Sequence, residues 1–290
     1  MKKKDKLETV EADAVVMKES MEKEHLSRQE RQAQYKLLMD TALLAGQIML
    51  KSGAETYRVE DTICRILQTS GLETAETFAT VTGLFVTLAD PSIDAITQIA
   101  RVSEKQSNLS QVYDVNDISR SLCGGKITVQ EAYDRLLVIK KKQEYPLHMV
   151  YIGIVMTSSF FTLLLGGGVL ASCLSALNGL CIVLCRHITG KVKLNNFITD
   201  MLSSFIIAVG TMFYAHMIHN SAIVEITIVG SIMPLVPGVA ITNAIRDTLQ
   251  GDYLSGGSRA IEAFVIAACI AVGIGVGLAF STVVIGGSML

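Results

Sequence analysis

Charge is what the second half of this chain lacks. Of 25 Lys and Arg and 27 Asp and Glu in 290 residues, 20 and 22 stand up to residue 146, and only 5 and 5 after it. The net charge of −2 conceals that division and supplies no basic field for nucleic acid. Paired cysteines are missing as well. Cys64, Cys123, Cys173, Cys181, Cys185 and Cys269 form no CxxC, so neither a disulfide framework nor a zinc site is expected. Four of them lie in apolar stretches, where the thiol packs as a small hydrophobe. Cys181 and Cys185 share a helix face, but no His or carboxylate joins them there. No nucleotide signature is present. The nearest approach, Arg120 to Lys126, lacks the first glycine and the closing Ser or Thr of a P-loop, which excludes ATP-driven export by this chain. No Ser-His-Asp set is visible: His25 and His148 are isolated, and His216 and His219 fall at a membrane edge. No cofactor or metal is expected. Met1-Lys2-Lys3-Lys4-Asp5 leads into charged residues and not an apolar segment, which predicts no cleavable signal peptide.

What is present after residue 146 is apolar. Five stretches, 147–165, 168–185, 197–218, 221–244 and 260–284, are each long enough to cross about 30 Å of hydrocarbon. The connections orient them. Lys140, Lys141 and Lys142 precede the first span; Arg186, Lys191 and Lys193 follow the second; Arg246 and Arg259 lie between the fourth and fifth. The loops at Gly166-Gly167-Gly168 and His216–Ser221, and the C-terminal tail, carry no Lys or Arg. The positive-inside rule therefore places residues 1–146 in the cytoplasm and the C-terminus outside, in a multi-pass protein of the cytoplasmic membrane. An odd number of spans suggests half of an inverted-repeat transporter, completed by a second copy or a second subunit.

The fourth span holds the unusual chemistry. Pro234, Pro237 and Gly238 cannot sustain a regular helix, because each proline removes a donor and clashes with the preceding turn. Irregular backbone at membrane depth survives only within protein or beside a watery cavity, and broken helices there offer freed backbone groups to substrates. A packing kink is the plainer reading. Thr242, Asn243, Arg246 and Asp247 crowd the same span, with Thr242 and Arg246, and Asn243 and Asp247, each four apart. Arg246 reads either as an interfacial anchor or, with Asn243 beside it, as a contact for a substrate carboxylate. Asn178 lies deeper, in the second span, and reads as bundle-facing; Asp200 and Glu262 read as hydrated groups near the interface, and Glu225 is a further polar group within the spans. Gly273, Gly275 and Gly277 read as packing glycines.

The first half reads as a cytoplasmic α+β domain over 32–146, behind an arm at 1–31 with 8 basic and 8 acidic residues. Helices are expected from Gln32 to Lys51, ended by Gly53, and from Thr56 to Thr69. Residues 76–89 and 94–102 read as strands around Asp90-Pro91. Helices follow near 111–123 and 128–142, the last opened by the capping pair Thr128 and Glu131. Glu55, Thr56, Arg58, Glu60 and Asp61 crowd one helix start. Acids favoured by the helix dipole and local ion pairs explain such a stripe.

Three segments resemble the threonine/serine exporter family (ThrE), specifically its YjjP-like members. They are Ser52-Gly-Ala-Glu-Thr-Tyr-Arg-Val-Glu-Asp-Thr62; Thr80 to Thr87 with Asn108 to Ala132; and Leu235-Val-Pro-Gly-Val-Ala-Ile-Thr-Asn-Ala-Ile-Arg-Asp247 with Gly251-Asp252 and Gly256. The resemblance covers most of residues 35–280. It implies export of small polar metabolites: threonine and serine, or dicarboxylates such as succinate where a YjjP-like chain works with a small YjjB-like membrane subunit. Full-length exporters of the family carry about ten spans behind a hydrophilic domain, and this chain has five. The substrate pathway would then use Asn178, Pro234, Pro237, Gly238, Thr242, Asn243, Arg246 and Asp247. Two alternatives use the 32–146 domain instead: a membrane-anchored enzyme with Glu55, Arg58, Glu60 and Asp61 as its acid/base groups, or a metabolite sensor. No complete catalytic constellation supports the enzyme.

Overall fold

A computed structural model of the chain describes residues 29–91, 93–103, 106–142 and 145–285. The charged arm expected over 1–31 lies, up to residue 28, outside the described residues. The chain divides after Lys142 into two compact units.

In the first unit, helix α1 (29–51) buries Leu38, Met39, Ala42, Ala45 and Met49 at helical spacing. It stops where Gly53 adopts φ 84°, with Gly53 N–H donating to Leu50 O and Ala54 N–H to Met49 O, the Schellman closure. Helix α2 (Thr56–Gln68) turns Val59, Ile63, Ile66 and Leu67 inward. Three strands follow as an antiparallel meander, β1 (Thr74–Thr80), β2 (Gly83–Asp90) and β3 (Ile93–Arg101). Central strand β2 alternates: Leu84, Val86 and Leu88 enter the core, while Phe85 stands on the other face beside its cross-strand partner Phe78. Helices α3 (Leu109–Cys123) and α4 (Val129–Lys141) close the core with Val112, Val115, Ile118, Leu122, Leu136 and Ile139.

The stretch 76–89, expected as one strand, is a hairpin: Thr80 pairs with Gly83 across Val81-Thr82. Neither turn residue has a positive φ, so no glycine or asparagine marks the reversal, and their β-branching disguises it as strand. The Thr128 hydroxyl does cap α4, accepting from Glu131 N–H at 3.2 Å; the Glu131 carboxylate instead accepts from Arg135.

The second unit is helical throughout its described residues. It comprises α5 (Leu147–Leu164), α6 (Val169–Val192), α7 (Asn196–Ile218), α8 (Val224–Ile232), α9 (Gly238–Leu249) and α10 (Tyr253–Ile285). Four helices are long and apolar enough to cross a membrane; a fifth span is formed if residues Ser221–Leu235 and Gly238–Leu249, bent by 63°, count as one. Helix α6 runs on from the expected end at 185 to Val192, and α10 starts at Tyr253 in place of 260. Hydropathy marks where lipid begins, whereas helix ends are set by caps, here Lys193 in the left-handed region after α6. The 33 residues of α10 rise about 50 Å at 1.5 Å each, more than a bilayer core requires.

Helix α7 lies between α6 and α10, and α8 packs on α5, α6 and α7. Gly273 and Gly277 let α10 approach α7: a Cβ on Gly277 would meet Phe205 O and Ala208 Cβ at 2.8 Å, and one on Gly273 would strike Met201 O. Gly275, by contrast, faces open space.

Buried Gln111 ties the first unit together. Its Oε1 accepts from the Ser52 hydroxyl at 2.8 Å, and its Nε2 donates to Ile139 O at 3.0 Å and Lys142 O at 3.1 Å. Gln111→Ala strands those groups and is expected to cost about 1–3 kcal/mol, read as a lower urea midpoint for this unit by pulse proteolysis.

Candidate functional site

Polar side chains in the second unit gather where α5, α6, α7 and α8 meet. Asn178 of α6 is 1% exposed, and its Nδ2 donates to Thr211 Oγ1 of α7 at 2.9 Å and to Ser231 Oγ of α8 at 3.0 Å. Ser231 Oγ donates in turn to Thr227 O at 2.6 Å. From α5, Thr162 Oγ1 donates to Ser175 Oγ of α6 at 2.6 Å, and Ser175 Oγ reaches Thr227 O at 3.3 Å. Ser158 Oγ bonds its own helix at Ile154 O and approaches Ser231 O at 3.4 Å. The cluster is uncharged and wholly buried. Among the described residues Asn178 Oδ1 and Thr227 Oγ1 have no hydrogen-bond partner, so acceptor capacity remains inside the bundle.

Sequence reasoning singled out Asn178 and missed the hydroxyls. A signal was available: Ser158 and Thr162, and Thr227 and Ser231, stand four apart within apolar helices, which puts each pair on one face. Gly230 completes the arrangement. A Cβ there would overlap the Thr162 side chain and approach its Cα at 2.8 Å, so α8 reaches α5 only through a glycine.

The cluster abuts the break in the fourth span. Residues Met233–Leu235 tighten into a 3-10 turn around Pro234, Val236 is extended, and Pro237 caps α9, which opens at Gly238. The break thus has its cause in two missing amide donors. Gly238 has space around its Cβ direction and no left-handed φ, so its glycine character goes unused.

Beyond the break, α9 separates the four residues expected to act together. Asn243 and Asp247 are buried, whereas Thr242 and Arg246 are exposed on the other face. The Thr242 hydroxyl returns to Gly238 O and Val239 O. Asp247 Oδ2 lies 3.0 Å from Arg259 Nε of α10, and both side chains are almost fully buried, at 0% and 8% exposure. Arg259 entered the sequence reading only as a loop charge that sets topology; in the folded chain it stands inside α10, against α9. Asp200, read as hydrated, is buried and paired with Arg186 at 3.5 Å.

At the loops joining α5 to α6 and α7 to α8, a cavity of about 580 Å³ opens. Gly166, Gly167, Gly168, Ala222 and Glu225 are among its walls, and Glu225 is the one charged residue lining it among the described residues. Among the described residues no group of three or more His, Cys, Asp or Glu is arranged to hold a metal ion.

In the first unit, the Glu55 to Asp61 stripe disperses into local contacts. Buried Glu55 precedes α2 and pairs with Arg58 at 3.3 Å. Thr56 is buried. Glu60 Oε1 accepts from Ala79 N–H of β1 at 2.7 Å, and Asp61 pairs with Arg65 at 2.8 Å on the surface. Glu55 and Asp61 thus reach along α2 to Arg58 and Arg65, and Glu60 reaches across to β1.

A family model described as "Putative threonine/serine exporter" (ThrE) matches residues 40–281. Comparison with curated proteins and with solved structures returns no match. The matched stretch takes in the polar cluster, the break and the Asp247–Arg259 pair.

Two glycines of the fourth span are expected to behave oppositely. Gly230→Ala forces α8 away from α5 and is expected to destabilise the unit by about 1–3 kcal/mol, whereas Gly238→Ala meets open space and leaves stability unchanged. Thermal melting of the detergent-solubilised protein measures both.

Proposed function

Because this chain belongs to the threonine/serine exporter family, ThrE, we propose that it is one subunit of a secondary exporter that moves threonine and serine, or dicarboxylates such as succinate, out of the cytoplasm. The observation that carries this reading is the broken fourth span beside a buried, incompletely satisfied polar cluster. A helix interrupted at membrane depth is tolerated where it lines a cavity or is enclosed by protein, and transporter sites are built from such interruptions. The pathway follows that span: Glu225 and the cavity at one end, Asn178 and the hydroxyls in the middle, then Pro234, Pro237 and Gly238, and Thr242, Asn243, Arg246 and Asp247 beyond. Asn178 Oδ1 is suited to accept from a substrate ammonium or hydroxyl.

Two features support a partner, either a small YjjB-like membrane subunit or a second copy. The five spans are odd in number, so the next homologous module starts from the opposite face. Among the described elements helix α9 packs extensively only on α10, and its other face carries Ile241, Ile245, Leu249 and Arg246 outward. Arg246 then serves at that junction. The distribution of Lys and Arg supports a cytoplasmic first unit and an external C-terminus.

The test is release of threonine, serine and succinate from cells with and without the chain. Replacing Pro237 with Ala, or Arg246 with Ala, is expected to lower efflux at least roughly tenfold at an unchanged membrane level; wild-type efflux from both would overturn the pathway.

A second reading, in which the soluble unit senses an anionic metabolite and regulates transport, is favoured by one observation. A cavity of about 320 Å³ between α1, β3 and α4 is lined by Lys51, Arg101 and Lys140. Calorimetric titration of the solubilised protein with succinate is expected to show binding that Arg101→Ala with Lys140→Ala removes.

A further inference from the structure

The cavity of about 320 Å³ in the first unit is walled by the ends of three elements. Helix α1 supplies Gln47 and Lys51, the end of β3 supplies Arg101 with Ser103 beyond it, and α4 supplies Lys140. We propose that this cavity is a phosphate site: it takes a ligand bearing a phosphate monoester, with Arg101 and Lys140 on the phosphate oxygens. The proposal rests on the reading of this unit as a sensor of an anionic metabolite and names the class of anion.

The lining is one-sided in its chemistry. Two ammonium groups and a guanidinium line the cavity with the Ser103 hydroxyl and the Gln47 amide, and among the described residues no carboxylate does. Lysines in the last turn of a helix are ordinary partners of its dipole, and Lys51 and Lys140 stand in such turns. Lys51 also takes part in other interactions. Arg101 ends a strand, where no comparable dipole acts, and adds a third positive charge to the same cavity. A phosphate monoester places about two negative charges and three acceptor oxygens on one atom. A dicarboxylate spreads two charges over separate groups. Arginine grips a phosphate through two parallel N–H donors, and lysine meets it as a point charge. Ile48 and Val102 complete the wall and give an apolar seat to the organic part of the ligand.

The cations are carried on a fixed frame. Lys51 lies between buried Leu50 and Ser52, Arg101 between buried Ala100 and Val102, and Lys140 follows buried Ile139. Gln106 N–H donates to Lys51 O and Val102 N–H to Thr82 O, each at 2.9 Å. Gln111 joins the two helix ends, accepting from the Ser52 hydroxyl and donating to Ile139 O. The residues next to Lys51 and Lys140 are thus held by one side chain. A frame ordered beforehand loses little entropy when an anion binds. A soluble ester or a phospholipid headgroup carries the required chemistry, since the chain enters α5 at Leu147, soon after Lys140.

Calorimetric titration of the full chain in phosphatidylcholine nanodiscs tests the proposal. The probes are glycerol 3-phosphate, dihexanoyl phosphatidic acid and succinate. At least one phosphate is expected to bind more tightly than succinate. Tighter binding of glycerol 3-phosphate assigns a soluble ester, and tighter binding of the lipid assigns a headgroup. Arg101→Gln and Lys140→Gln, both at exposed positions, are each expected to raise the Kd about tenfold or more. Arg101→Lys keeps the charge without the paired donors and is expected to lose less. Phosphate binding indifferent to these substitutions, or succinate bound as tightly as either phosphate, would overturn the proposal. If succinate alone binds, through Arg101 and Lys140, the phosphate site falls and the sensing reading stands. If none of the three binds, both fall.

Discussion

A helix that breaks inside an apolar bundle has to have its freed backbone groups met by protein, and the membrane unit is arranged around that requirement. Prolines at 234 and 237 take two amide donors out of the fourth span. Hydroxyls from its neighbours approach the carbonyls of α8: Ser175 at Thr227 O and Ser158 at Ser231 O. Gly230 brings α8 close enough to α5 for those contacts to form. In water such a break would be solvated at little cost. In hydrocarbon each unmet group costs several kcal/mol, and the carbonyls deprived of an amide by Pro234 and Pro237, those of Gly230 and Met233, are met by the tightened turn itself: Met233 N–H donates to Gly230 O and Val236 N–H to Met233 O.

The same economy governs the charges. Among the polar groups of the spans, those that ionise are paired or lie at an edge. Asp200 meets Arg186, Asp247 meets Arg259, and Glu225 lines a cavity at the loops. The middle of the bundle is served by hydroxyls and one amide. Neutral groups can exchange partners with a polar ligand at little desolvation cost.

Much of this was legible in the chain. Period and punctuation located the helices of both units, because Gly53 and Thr128 act within one turn of the ends they define. The spans were visible because length and apolarity are properties of a segment alone. Pro234 and Pro237 marked the break for the same reason: a missing amide is missing in any fold. The Val81-Thr82 reversal escaped because its residues favour strands and its backbone needs no glycine. The hydroxyl cluster escaped because a single Ser or Thr in an apolar helix usually bonds to its own backbone, as Thr189 does with Cys185 O, and only the neighbouring helix shows when it does more.

The sequence by itself determined the two-part construction, the apolar spans, the interrupted fourth span and the family to which the chain belongs, since each depends on local composition or short motifs. Tertiary structure alone decided which polar groups meet. Thr242, Asn243, Arg246 and Asp247 look like one cluster in the chain, yet helical rotation sends Asn243 and Asp247 inward and the other two outward. Arg259 looked like a loop charge, yet the extension of α10 to Tyr253 and the close crossing at Gly256 bring it against Asp247. Partners twelve residues apart along the chain are joined by the angle at which two helices cross, a property that neither helix possesses alone.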